Sequence, residues 1–159
     1  MRIYTAGPLG FSEAGRQFHA RIADTLAKLG HTVLDPWIFD SQRINAVLAM
    51  PYGQDKKNAW AKLNVEIGKA NTGLIESCDL VFAVLDGVDV DSGTAAEIGY
   101  AYARGKRILG YRGDFRLSAD NEGATVNLQV EYFIRDSGGT IIQGIEQLPQ
   151  ALSELAARP

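Results

Sequence analysis

Leu80-Val81-Phe82-Ala83-Val84-Leu85, followed after a short acidic loop by Asp91-Ser92-Gly93-Thr94-Ala95-Ala96-Glu97-Ile98-Gly99, decides the fold of this chain. An apolar run without alternation predicts a central parallel strand covered on both faces. The stretch from about Gly93 to Arg104 then reads as a helix. Strand, loop and helix in that order put the loop at the carboxyl edge of a sheet, where open α/β folds bind ligands. Glu97 falls early in the helix, where the positive end of the macrodipole favours an ionised carboxylate. Asp91 stands six residues earlier, in the loop. An anionic Glu held in a strand-edge crevice is a candidate nucleophile. Taken alone, Glu97 is accounted for equally well as a helix-terminal carboxylate that only complements the dipole.

Outward from this core, Ile3 to Ala6 reads as a first strand, stopping at the turn Gly7-Pro8-Leu9-Gly10. Phe18, Ile22, Leu26 and Leu29 recur at helical spacing between Ser12 and Leu29, and Gly30 closes that helix. His31 to Leu34 is a second strand, broken by Asp35-Pro36. Residues 37 to 54 have no clean period; they fit equally a lid or substrate wall and a surface loop with its own small cluster. Asp55 to about Ser77 is helical, with Trp60, Leu63, Ile67 and Leu74 roughly on one face. Gly68 and Gly73 mark places for a bend or break.

Downstream come a strand at Ile108 to Tyr111, a polar loop from Arg112 to Thr125 and a short helix from Asn127 to Arg135. A last strand at Thr140 to Gln143 precedes a closing helix, Gly144 to Ala157. Five strands separated by helical segments predict an α/β fold, a doubly wound five-stranded parallel sheet with helices on both faces. With no repeat, low-complexity tract or linker, residues 1–159 are expected to form one domain.

Composition narrows the partners. Hydrophobic residues make up 46% and charged residues 22%, with a net charge of −3, which disfavours a nucleic acid polymer as partner. Lys56-Lys57 and Arg104 to Arg107 read as solvated faces. Cys78, the single cysteine, excludes an internal disulfide and reads as a buried structural thiol. His19 and His31 with one cysteine lack metal-ligand spacing, so neither metal nor cofactor is expected. The start at Met1 carries no signal-peptide pattern, and no apolar run approaches the roughly 18 residues of a membrane span. No membrane partner and a cytoplasmic location are expected.

The first turn lacks the GxGxxG spacing and the Walker lysine, so dinucleotide binding is disfavoured. What remains is a crevice with Tyr4, the Gly7 turn, Asp91 and Glu97. Carboxylates accept hydrogen bonds from hydroxyls and repel phosphate oxygens, which suits a sugar or neutral polyol. A nucleophilic Glu, a sugar and no metal together suggest glycosyl transfer through a covalent intermediate.

These residues carry a resemblance. Ile3-Tyr4-Thr5-Ala6-Gly7-Pro8, Ile75-Glu76-Ser77-Cys78-Asp79-Leu80-Val81 and, most specifically, Asp91 to Ala101 with its D-x-G-T-x-x-E-x-G block resemble the nucleoside 2-deoxyribosyltransferase family. Gly105-Lys106 before Ile108, and Asn127-Leu128, also fit; the similarity runs from the first strand to about Gly139. The resemblance implies a flavodoxin-like sandwich that exchanges the base of a 2′-deoxyribonucleoside with retention. Its partners would be a deoxynucleoside and a free nucleobase. Glu97 matches the family's nucleophile, Tyr4 the tyrosine that orients it, and Asp91 the carboxylate that binds the sugar 5′-hydroxyl. Gly7 and Gly93 belong to the matched turns around the substrate. Asn71 falls where some members carry an Asp that helps protonate the departing base and others carry Asn. Asn127 matches an Asn that reaches a neighbouring subunit's site, which implies a homo-oligomer.

Three rivals stand beside this reading. The 2′-deoxynucleoside 5′-phosphate N-hydrolases place a serine where this chain has Asp91. A carboxylate there disfavours a dianionic phosphate. A phosphoribohydrolase of the lysine-decarboxylase-like type has a PGGxGTxxE loop that Ser92 to Glu97 echoes only faintly. The third rival is a non-catalytic nucleoside-binding module on the same fold.

Overall fold

Leu80 to Val84 are buried on both sides, and consecutive residues serve opposite layers. Leu80, Phe82 and Val84 pack with Ile22, Leu26, Leu152 and Leu155. Val81 and Ala83 pack with Tyr4, Ile75, Ile98 and Ile134. The structure, a computed structural model, describes residues 1–157. This central strand, β3 (Leu80–Val84), lies in an all-parallel sheet with β1 (Arg2–Ala6), β2 (Thr32–Leu34), β4 (Arg107–Tyr111) and β5 (Ile141–Ile142), in the order β2-β1-β3-β4-β5. Helices α1 (Glu13–Lys28) and α6 (Leu148–Ala157) supply the first layer. Helices α3 (Gln54–Ser77), α4 (Ser92–Ala103) and α5 (Leu128–Asp136) supply the second. The flavodoxin-like strand order places a topological switch point between β1 and β3, where Tyr4 pairs with Val81 and Ala6 with Ala83.

Close approach of the chain fixes two glycines. Gly7 leaves β1 at φ +154°, and a Cβ there would stand 3.0 Å from Val84 Cβ. The turn therefore crosses tightly over the end of β3. At Gly139 a Cβ would lie 1.7 Å from the Ile108 carbonyl oxygen, a backbone atom with no room to yield. Gly139→Ala is expected to lower stability by about 1–3 kcal/mol, read from the midpoint of chemical unfolding; an unchanged midpoint would contradict this packing.

The segment after β2 is more ordered than its sequence predicts. Pro36–Ile38 forms a 3₁₀ turn capped by Asp35, and helix α2 spans Ser41–Ala49. Asp40 Oδ1 accepts from the Arg43 backbone N–H at the helix start. At its end Met50 is extended, as the residue before Pro51 must be. No residue of α2 is fully buried, so no apolar stripe announces it. Helix α3 is continuous through Gly68 and Gly73, because both face open space and cost only propensity. The closing helix begins at Leu148, after a 3₁₀ turn at Ile145–Gln147.

Several cations read as solvated are structural pegs. Lys56 Nζ donates to the carbonyls of Leu48 and Met50 at 2.7 and 3.0 Å. Lys106 Nζ donates to the carbonyls of Glu76 and Cys78, and Arg107 to that of Leu155. Arg112, expected at the start of a polar loop, is wholly buried. Its guanidinium donates to the carbonyls of Leu85, Gly87 and Arg116, which ties down the loop leading from β3 to α4. Cys78 is buried and its thiol donates to the Ile75 carbonyl. Among the described residues, no helix is long and apolar enough to cross a membrane.

Candidate active site

Helix α4 turns Thr94, Ile98 and Ala101 onto the sheet. Glu97 lies beside that stripe and is carried to the mouth of the β1–β3 crevice. There the Tyr4 hydroxyl donates to Glu97 Oε1 at 2.6 Å. Tyr4 is wholly buried, so its ring is fixed by the core and its hydroxyl holds one carboxylate oxygen in place. Burial and the neighbouring Glu97 charge push the Tyr4 phenol far above its ordinary range. It therefore remains a donor at every working pH.

Glu97 itself titrates above its ordinary value. Burial raises it, the Tyr4 hydrogen bond lowers it and the Asp91 charge raises it again, with a net upward shift. This corrects the macrodipole expectation. Glu97 is the sixth residue of α4, and the dipole acts mainly within the first turn, so desolvation prevails. The carboxylate at the helix start is Asp91, whose Oδ2 accepts from Thr94 N at 3.0 Å and from Thr94 Oγ1 at 3.1 Å. Asp91 is thus the N-cap of α4, and both of these bonds fall on its Oδ2.

A cavity of about 480 Å³ opens onto this pair. Its polar end is formed by Gly7, Asp91, Gly93, Thr94 and Glu97. Its other walls are Phe11, Pro36, Trp37, Phe39 and Ile44 on one side, with Trp60, Asn64, Ile67 and Asn71 of α3 on the other. Phe11 and Trp37 meet edge to face, ring centroids 4.8 Å apart. Among the described residues, no lysine or arginine lines the cavity.

Gly7, Asn71, Asp91, Gly93 and Glu97 are therefore brought together, with Tyr4 directly behind Glu97. Asn127 is not. It caps α5, its Oδ1 accepting from Gln129 N and Val130 N while its Nδ2 reaches Asp120 Oδ2, and it does not line the cavity of its own chain. Sequence reading overlooked Ile44, Asn64 and Thr94 as wall residues. For Asn64 a signal existed: Trp60, Asn64, Ile67 and Asn71 recur at helical spacing, two amides set into an apolar stripe.

Comparison with known proteins places this geometry. The family model described as nucleoside 2-deoxyribosyltransferase matches residues 3–129, most of the chain and all of the cavity-lining residues. The chain belongs to the nucleoside 2-deoxyribosyltransferase family. An uncharacterized protein of Schizosaccharomyces pombe is 25% identical to this family member, over 98% of this chain and 89% of the relative. A conserved protein from Enterococcus faecalis V583 superposes with a TM-score of 0.70 at 25% identity, covering 98% of each chain. The 2-deoxyribosyltransferase of Bacillus psychrosaccharolyticus shares the fold, with a TM-score of 0.63 at 23% identity over 94% of this chain and 90% of that one. So does a CMP N-glycosidase of Clostridium botulinum, with a TM-score of 0.56 at 22% identity over 96% and 98%.

Proposed function

We propose that this protein exchanges the base of 2′-deoxyribonucleosides through a covalent deoxyribosyl ester on Glu97. The observation that carries the reading is the Tyr4–Glu97 pair, a carboxylate held by a 2.6 Å hydrogen bond at the polar end of an aromatic cavity. One Glu97 oxygen attacks C1′ of the sugar. The C1′–N bond breaks, its electron pair leaves with the base, and an ester forms. After the bases change places, a nitrogen of the incoming base attacks C1′ from the face the first base left. The ester C–O bond breaks, the carboxylate is restored and the incoming nitrogen gives up its proton, matching the one the departed base took up, so two inversions give retention. Asp91 Oδ1 accepts the 5′-hydroxyl, and Gly7 and Gly93 allow the sugar close to the backbone. Asn71 borders the base as a hydrogen-bonding amide. Asn127 acts in a neighbouring copy of the chain, so the working form is a homo-oligomer.

Asp91 and the lack of a lining cation, among the described residues, support a free 5′-hydroxyl over a phosphate. Water in place of the second base gives hydrolysis through the same ester, so exclusion of water sets the balance between the two outcomes. With deoxyinosine or thymidine as donor, deoxyadenosine is expected only when free adenine is added, read by chromatography. Base release without exchange would make water the acceptor, and no release from any deoxynucleoside would overturn the reading.

Tyr4→Phe separates orientation from attack. Losing a hydrogen bond to a charged group costs about 1.5–3 kcal/mol, so kcat should fall about ten- to hundredfold. The same bond lowers the Glu97 pKa. Its removal should therefore move the acid limb of the pH–rate profile to higher pH. A profile that stays in place would deny Tyr4 this role.

A further inference from the structure

A second cavity of about 270 Å³ adjoins the first, and Pro36, Phe39 and Asn71 line both. Its remaining walls are mainly aliphatic, from Val33, Leu34, Ile38, Ala70 and Leu74. The one carboxylate there, Asp35, is engaged on both sides: His19 Nε2 lies 2.9 Å from its Oδ2, and the Trp37 N–H donates to its Oδ1. The shared wall includes the aromatic Phe39 and none of Asp91, Gly93 and Glu97, the residues that the proposed function assigns to the sugar. Whatever passes it therefore comes from the base and not from the sugar. On the divider, Asn71 Oδ1 is buried without a hydrogen-bond partner, which is costly unless a ligand supplies a donor.

We propose that the second cavity receives an apolar substituent carried on an exocyclic amino group of the base, so that the favoured substrates are deoxynucleosides of N-alkylated or N-arylated amino bases. The inference rests on the base-exchange reading of the main cavity. A secondary exocyclic amine keeps one N–H, which the Asn71 amide accepts as the chain crosses the divider. The alkyl or aryl group then covers apolar wall that otherwise faces water, Ile38 above all, which is 77% exposed. Pro36 and Phe39 hold the opening from the other side, with Phe39 against the face of the base. Ala70 sets the depth of the second cavity, because a larger side chain at that position of α3 occupies it.

Calorimetric binding of free bases to the full chain tests this without requiring turnover. N6-hexyladenine is expected to bind the wild type at least about tenfold more tightly than adenine, the scale that burial of a few methylenes gives. Ala70→Phe should bring the two bases within about twofold of each other and leave the affinity for adenine unchanged. Leu74→Trp gives the same comparison should the first variant fail to fold. Equal or weaker binding of the substituted base to the wild type would overturn the proposal, as would a preference that survives both substitutions. Failure of base exchange with every nucleoside would overturn the underlying reading, and the binding ratio would still decide what the second cavity takes.

Discussion

Glu97→Ala should reduce base release by at least about 10⁴-fold while changing deoxynucleoside affinity by less than about tenfold. The asymmetry follows from the nucleophilic role proposed for the side chain. Its oxygen forms a bond only as the C1′–N bond breaks, so its removal acts on the transition state and leaves the walls of the cavity intact. Single-turnover kinetics and equilibrium binding on one preparation separate the two quantities. Residual turnover near wild type would mean that another group attacks the sugar.

The same residue sets two pH dependences in the wild type. Attack requires the carboxylate, whose folded value is raised by burial and by Asp91. The rate should therefore climb with pH through an ionisation above the usual Glu range. Stability runs the other way. Below the ordinary value both folded and unfolded chains hold the proton, and Glu97 has no effect. Through the window up to the raised folded value the unfolded chain releases its proton first, so stability falls as pH rises and then levels off. Glu97→Gln should accordingly melt higher than wild type at neutral pH, with the difference closing below about pH 4, near the ordinary Glu value.

Asp91→Ser should reverse the preference between nucleosides and nucleotides. Asp91 has two oxygens for two purposes: Oδ2 caps α4 through Thr94, and the role proposed for Oδ1, on a residue that lines the cavity, is to accept the 5′-hydroxyl. Serine also caps helices well, so the helix start survives and the test isolates the charge. Loss of a charged acceptor for the 5′-hydroxyl should cut kcat/KM for deoxynucleosides about ten- to hundredfold. Removing the carboxylate also lifts the repulsion that a 5′-phosphate meets beside it. Deoxynucleoside 5′-monophosphates should therefore improve in absolute terms, and the ratio of the two kcat/KM values reports the switch. A ratio that stays at the wild-type value would take Asp91 out of the 5′ region.

What the sequence disclosed follows from how strongly burial constrains each element. Leu80 to Leu85 had to be apolar at every position because both faces are covered, and that run predicted the sheet and its layers. The cap and strand end that position Asp91 and Glu97 are equally local. The excursion at 37 to 54 was opaque because α2 buries little, although Asp40 and Pro51 mark its ends. Arg112 misled in the opposite direction. A guanidinium whose two terminal nitrogens donate to three backbone carbonyls leaves no acidic partner in the sequence to suggest that it is buried. The ionisation of Glu97 was also hidden, since helix position suggests a lowered value and only the packed fold supplies the desolvation that raises it. Asn64 and Asn71 were legible as polar residues within an apolar helical stripe, but the cavity they face is made by Trp37 and Phe39 from a different part of the chain.

The most direct test of the central claim is a rapid acid quench of the enzyme with a deoxynucleoside and no acceptor base, followed by peptide mass spectrometry. The peptide carrying Glu97 should gain the mass of one deoxyribosyl group, and the gain should vanish in Glu97→Ala. A deoxyribosyl group on any other residue, or steady base release with no adduct at any quench time, would contradict a mechanism built on Glu97.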